Sequence, residues 1–156
     1  MLERNSLIFD GEKVINTLKK SIKKLFKSDE WVETFDGNEV GVITYQQTIS
    51  DNFPIIFLEI IDDSPYTITR DSNQIANHTR FTFRITIYNK ESKAKKLDRE
   101  TLSRRIANEV ILHLQKEYGY AHDYNQFVPN EDITISRRVI GYTAVIDNNT
   151  YAIYNQ

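Results

Sequence analysis

The run Arg80-Phe-Thr-Phe-Arg-Ile-Thr-Ile-Tyr88 alternates without a break, with Phe81, Phe83, Ile85 and Ile87 on one side and Arg80, Thr82, Arg84, Thr86 and Tyr88 on the other. Strand side chains point to opposite faces with a period of two, so this segment reads as a strand with one apolar and one polar face. The rest of the chain must then cover the apolar face, and the polar face is left for solvent or a partner.

Two segments have the right pattern to supply the cover. From about Asp10 to Lys27, Val14, Ile15, Leu18, Ile22, Leu25 and Phe26 recur at helical spacing, with Asp10 as N-cap and Lys13, Lys19, Lys20, Lys23, Lys24 and Lys27 on the other side. The second helix starts after the N-cap Asp98, with Leu97 placed to staple against Leu102. Leu102, Ile106, Val110 and Leu114 form its buried stripe, and Gly119 suits the left-handed position that ends it.

Further strands are expected at Val40–Ile49, after the turn composition of Asp36-Gly37-Asn38, and at Ile55–Ile61, an apolar run that reads as a central strand buried on both faces. Residues 62–79 read as a long polar loop, with Asp63, Tyr66, Arg70 and Asn73 as candidate mobile-loop residues. The polar, aromatic stretch from Ala121 to Asn130 leads to a strand over Ile133–Ile146. The apolar positions of that strand change parity, which predicts a bulge near Arg137-Arg138. A turn at Asp147–Thr150 and a short strand at Tyr151–Tyr154 close the order α-β-β-β-α-β-β. The expected fold is α+β, a mostly antiparallel sheet with both helices packed on one face.

Composition sets outer bounds. A chain of 156 residues that is 40% apolar is the right size for a single domain over 1–156, and chains near this length bury roughly 70% of their unfolded surface without needing disulfides or a metal. There is no cysteine, which excludes thiolate chemistry and cysteine metal sites. The 20 basic and 22 acidic residues leave a formal charge of −2, which argues against a dedicated nucleic-acid binder despite the basic clusters at Lys19–Lys27 and Lys90–Arg105. No apolar run approaches the roughly 20 residues of a membrane span, and the opening Met1-Leu-Glu-Arg-Asn lacks the order of a signal peptide, so no membrane partner is expected.

No catalytic motif emerges. His78, His113 and His122 are scattered, with no carboxylate at metal-ligand spacing. Glu59, Asp62 and Asp63 would suit a small magnesium-dependent nuclease, but the chain offers no matching lysine nearby, and the two aspartates read more simply as a solvated strand end. None of the five glycines forms a phosphate loop. No catalytic residue, metal or cofactor is therefore expected. The polar sheet face carries more information: with Tyr45, Tyr88, Tyr142 and Tyr151 it would be rich in arginine and tyrosine, the composition of protein interfaces. Its bland alternative is an ordinary solvated sheet face.

The lysine-rich first helix, the strand pair, the polar loop, FTFRITIY, LDRETLSRRIANEVILHL and the closing RRVIGYTAVIDNNTYAIYNQ together resemble, over nearly the whole chain, the tail terminator (tail completion, head-tail joining) proteins of long-tailed bacteriophages. That resemblance implies a structural virion protein that forms a homo-oligomeric ring, most often a hexamer. The ring would sit on the head-proximal end of the tail tube, end tube growth and join the tail to the head connector. The implied partners are the tube protein and a head-side connector or neck protein, with DNA passing through the lumen without specific binding. The implied place is the tail-neck region of a virion assembled in the host bacterial cytoplasm. Arg80, Thr82, Arg84, Tyr88, Arg137, Arg138 and Tyr142 become candidate subunit or tube interface residues. The long lysine-rich helix and the Tyr-rich end depart from the family pattern and fit a head-side neck or connector protein as an alternative.

Overall fold

In the computed structural model, residues 9–44, 52–66 and 77–154 are described. The elements in chain order are α1 (Gly11–Leu25), α2 (Asp29–Thr34), β1 (Gly41–Ile43), β2 (Ile55–Pro65), β3 (His78–Asn89), α3 (Arg99–Tyr118), β4 (His122–Val128) and β5 (Ser136–Asp147). The strands form one five-stranded sheet in the order β1-β2-β3-β5-β4. The β1–β2 pair is parallel and the other pairs are antiparallel. This is the expected α+β class, with one additional short helix, α2.

Local chemistry sets the helix ends. The Asp10 carboxylate accepts from Lys13 N–H and the Asp98 carboxylate from Thr101 N–H, each satisfying a donor that the first helical turn leaves free. Gly119 closes α3 at φ 79°, and the following Tyr120 N–H returns to the Leu114 carbonyl. The sequence reading missed α2. Its signal is Ser28, whose hydroxyl accepts from Trp31 N–H, followed by Asp29 and Glu30 in the first turn.

Both long helices cover the same face of the sheet. α1 packs on β1 and β2, and α3 packs on β3 and β5. Their flanks meet where Ser21 Oγ lies 2.6 Å from His113 Nε2. Between helices and sheet lie Leu18, Ile22, Ile106, Val110 and Leu114 together with the fully buried Phe81, Phe83, Ile85 and Ile87 of β3. Phe83 stacks on Tyr142 with centroids 4.9 Å apart and planes 5° from parallel. Burying such rings is the main source of favourable free energy in the core.

Several expectations are corrected. β2 is not buried on both faces throughout, because Ile60 and Ile61 are exposed and β2 lies next to the short edge strand β1. The segment 62–79 is not all loop: Asp62 to Pro65 extend β2, His78 and Thr79 begin β3, and Asp62↔Thr82 through Pro65↔Thr79 are paired. Arg70 and Asn73 lie outside the described residues; of the strand expected over Val40–Ile49, Gly41–Ile43 form β1 and residues 45–49 lie outside the described residues.

β5 carries no bulge against β3. All twelve of its residues pair in unbroken register, from Asn89↔Ser136 to His78↔Asp147. The parity change in the sequence arises because the strand begins only at Ser136, leaving Ile133 outside it and 76% exposed. Register shifts occur instead in β2 between Ile60 and Asp62 and in β4 between His122 and Tyr124. The stretch after α3, read as connecting sequence, forms the edge strand β4. Tyr151–Tyr154 contributes only an isolated bridge, Ile146↔Ile153, after the expected turn, in which the Asp147 carboxylate accepts from Asn149 and Thr150 N–H.

Candidate functional site

The face of the sheet away from the helices is built in rows across the strands. The pairings align Ile55, Tyr88, Arg137 and Val128 in one row, and Phe57, Thr86, Val139 and Gln126 in the next. Glu59, Arg84, Gly141 and Tyr124 follow, then Asp62, Thr82 and Thr143. Arg80, Asp62, Thr143 and Gln126 are exposed, and Glu59, Thr82, Arg84, Tyr88 and Arg137 are half-buried. Thr86 and Val139, at the centre of the face, are buried within the single copy.

Contacts along the rows hold the charged groups in place. Arg84 Nε donates to Glu59 Oε1 in an ion pair, and this bond is the main cause that raises the guanidinium above its ordinary pKa. Both partners are partly solvated, so the pair orients Arg84 more than it stabilises the fold. Arg137 lies 5.9 Å from the Tyr88 ring centroid, and its Nε is buried without a hydrogen-bond partner. Arg80 lies 5.8 Å from the ring centroid of Tyr66. Thr82 and Thr143 face each other with hydroxyls 3.5 Å apart. Two guanidinium groups thus lie near aromatic rings and a third is held by a carboxylate.

Arg80, Thr82, Arg84, Tyr88 and Arg137 share this face. The structure places Arg138 and Tyr142 on the other one. Tyr142 is 1% exposed against Phe83, and burial pushes its hydroxyl far above the usual tyrosine range. Arg138 turns under α3, where Nε donates to Ser103 Oγ at 3.1 Å and Nη1 to Asn125 Oδ1 at 3.1 Å, with Glu100 4.0 Å away. Burial lowers its pKa, opposed by the Glu100 charge. The same parity that puts Ile140 and Ile146 in the core puts Arg138 there, and the three polar neighbours make that burial tolerable. Tyr151 packs beside Phe9, with Lys13 4.6 Å from its ring centroid, and so does not join the open face; Tyr45 lies outside the described residues.

Of the candidate mobile-loop residues, Asp63 is inside β2 and faces Gly11 at the start of α1. Tyr66 is buried, and its N–H donates to the His78 carbonyl at 2.9 Å.

The acidic trio does not converge. Glu59 is engaged by Arg84, while the adjacent strand residues Asp62 and Asp63 point to opposite faces. Among the described residues, no group of three or more His, Asp or Glu is arranged to hold a metal ion. His113 pairs with Ser21, His78 lies 3.6 Å from the Asp147 carboxylate, and His122 is exposed on β4. No helix among the described residues is long and apolar enough to cross a membrane.

No protein-family model matches the chain, and no curated protein matches it. Among solved structures it is similar to the PVC sheath/tube terminator of an extracellular contractile injection system, determined by cryo-EM in its extended state, at 10% identity and a TM-score of 0.37. The alignment covers 96% of this chain and 62% of that one, so this chain spans less than two thirds of its neighbour's length.

Proposed function

We propose that the protein is a structural component of a tail-like particle that assembles as a ring on the end of the tail tube, ends its growth and presents a surface for the next component. The observation that carries this reading is the helix-free sheet face, where Arg80, Arg84 and Arg137 are held in a fixed array alongside Tyr88 and Tyr124. Arginine and tyrosine are the residues enriched where protein partners meet. The sequence pattern of terminator proteins points to the same role. The mechanism is assembly alone: each copy offers unlike patches, a head-to-tail contact closes when its rotation fits, and one end of the closed ring matches the tube while the other does not.

Adding the purified protein to polymerising tail tubes tests this. Tubes should stop at a shorter length and carry extra density at one end in negative stain. Arg80→Glu with Arg84→Glu should remove both effects while leaving the circular dichroism spectrum unchanged. Tubes of unaltered length and bare ends at saturating protein would overturn the reading.

A further inference from the structure

The sheet has two unlike edges with opposite charge. At one edge lie β1 and, above it, α1, with Lys20, Lys23 and Lys24 exposed on the helix, Lys19 half-buried and the exposed Lys27 just beyond its end. Lys23 and Lys27 border a small groove with Glu39 and Val40, immediately before β1, which places this ridge on the β1 flank. At the other edge lies β4. From Gly119 to Ile135 the chain has no lysine or arginine; the exposed Asp123 lies within β4, and the exposed Glu131 and Asp132 follow in the connection to β5. The basic groups near this stretch are Lys90, whose charge helps hold the Asp132 carboxyl below its ordinary range, and Arg137 and Arg138, which are engaged by the Tyr88 ring and by Ser103 with Asn125.

β4 carries one guard of an edge strand, the register shift between His122 and Tyr124, but lacks the commoner ones. Solitary edge strands are usually blunted by lysine or proline, and neither occurs within His122–Val128. Among the described residues β4 pairs only with β5, so its outer row of backbone groups faces outward. Tyr124 pairs with Gly141 on the open face and Phe127 with Arg138 on the helix face, and these two rings are 42% and 50% exposed. An edge with an aromatic ring on each side and a run of acids beside it matches a partner that meets it end-on and brings both apolar contact and positive charge.

We propose that the β4 edge of one copy docks against the α1–β1 edge of a second copy, so that Phe127 and Tyr124 are covered and Asp123, Glu131 and Asp132 face the Lys19–Lys27 ridge. Each copy gives one edge and receives the other, and because the two edges lie on opposite sides of one sheet, repetition of the contact extends to a ring or a filament. It specifies which surfaces meet in the ring proposed above, and depends on that reading only for closure into a ring.

A charge-swap mixing experiment tests it. One variant carries Asp123→Lys, Glu131→Lys and Asp132→Lys; the other carries Lys19→Glu, Lys23→Glu and Lys27→Glu. Each alone has two edges of like charge and should sediment as a monomer at low salt, whereas the unmodified protein should form larger species. Mixed one to one, the variants should co-assemble, because every edge again meets its opposite. High salt should weaken assembly of both the unmodified protein and the mixture. Circular dichroism confirms that each variant is folded, and Phe127→Lys in the otherwise unmodified chain should block assembly without involving the acids. An unmodified protein that stays monomeric at low salt and high concentration, single variants that assemble undiminished, or a folded mixture that stays monomeric would each overturn the proposal. Self-association without any effect on tail tubes would leave this edge contact standing and reject the capping role.

Discussion

The ring of Tyr124 lies across Gly141 so closely that a Cβ at that glycine would stand 2.2 Å from Tyr124 Cε1. The two residues are paired on neighbouring strands, and the missing side chain of one makes room for the ring of the other. Gly141→Ala should therefore swing the ring off the sheet and out toward solvent. The expected cost is modest, roughly 1 kcal/mol, because the clashing atoms are the outer end of a partly exposed side chain. Urea unfolding and tyrosine fluorescence measure the two effects, and the displaced ring should also weaken self-association through β4.

Phe83→Ala should be far more damaging. Phe83 is fully buried, stacked on Tyr142 and edge-on to Tyr120 at 5.5 Å. Losing a buried ring and leaving a cavity costs about 3–5 kcal/mol, and chemical denaturation of the folded variant would read the loss directly.

Arg138→Met tests whether the buried guanidinium specifies how β4 and α3 meet on β5. Removing it deprives Ser103 and Asn125 of their shared donor. A loss of about 2 kcal/mol is expected, from unmade charged hydrogen bonds offset in part by better apolar packing. Hydrogen exchange should rise first in β4, whose Asn125 is tied to the core by this residue.

Stability should fall on acidification through groups whose carboxylates are stabilised in the folded state. Asp98 is held below its ordinary value of 3.8 chiefly by the Thr101 hydroxyl and N–H, Asp132 by those of Thr134, and Asp147 first by the Thr150 N–H. A depressed folded pKa contributes stability that is fully present above the ordinary carboxylate range and is lost as pH falls through the folded value. The melting temperature should thus hold steady near neutrality and drop below about pH 4. Asp98→Asn keeps a capping oxygen but removes the charge, so it should lower the neutral melting temperature slightly and flatten the acid limb.

Arg84→Glu should behave as a surface change within one copy and as a severe one in assembly. It places two carboxylates opposite each other at the Glu59 position, which costs little in a partly solvated setting. Tube capping should be lost, and Glu59→Arg in the same chain should restore the ion pair and recover part of the activity.

Elements with a long, clean period were legible in the sequence. The alternation from Arg80 to Tyr88 lies within β3, and the apolar stripes of α1 and α3 and their aspartate caps match the described helices. β4 was not legible, because His-Asp-Tyr-Asn-Gln-Phe-Val has no buried face of its own and is held by pairing to β5. α2 was too short to show a period, and only Ser28 with the two acids after it gave a cap signature. Within the site, Arg80, Thr82, Arg84 and Tyr88 followed from parity alone. Tyr142 could have been assigned correctly in the same way, since it shares the parity of Ile140 and Ile146. Arg138 could not, because a buried arginine is recognisable only once Ser103 and Asn125 are seen to meet it. The row from Glu59 through Arg84 and Gly141 to Tyr124 joins four strands and has no trace in any local pattern.

The unbroken pairing of β3 with β5 has a mechanical consequence. Twelve consecutive residues of each strand run side by side, so a pull along the strand axis loads every rung of the ladder at once instead of peeling them apart in turn. Such a pair acts as a stiff plank in shear, and a cylinder assembled from these planks would yield first at the seams between copies, with the individual staves intact.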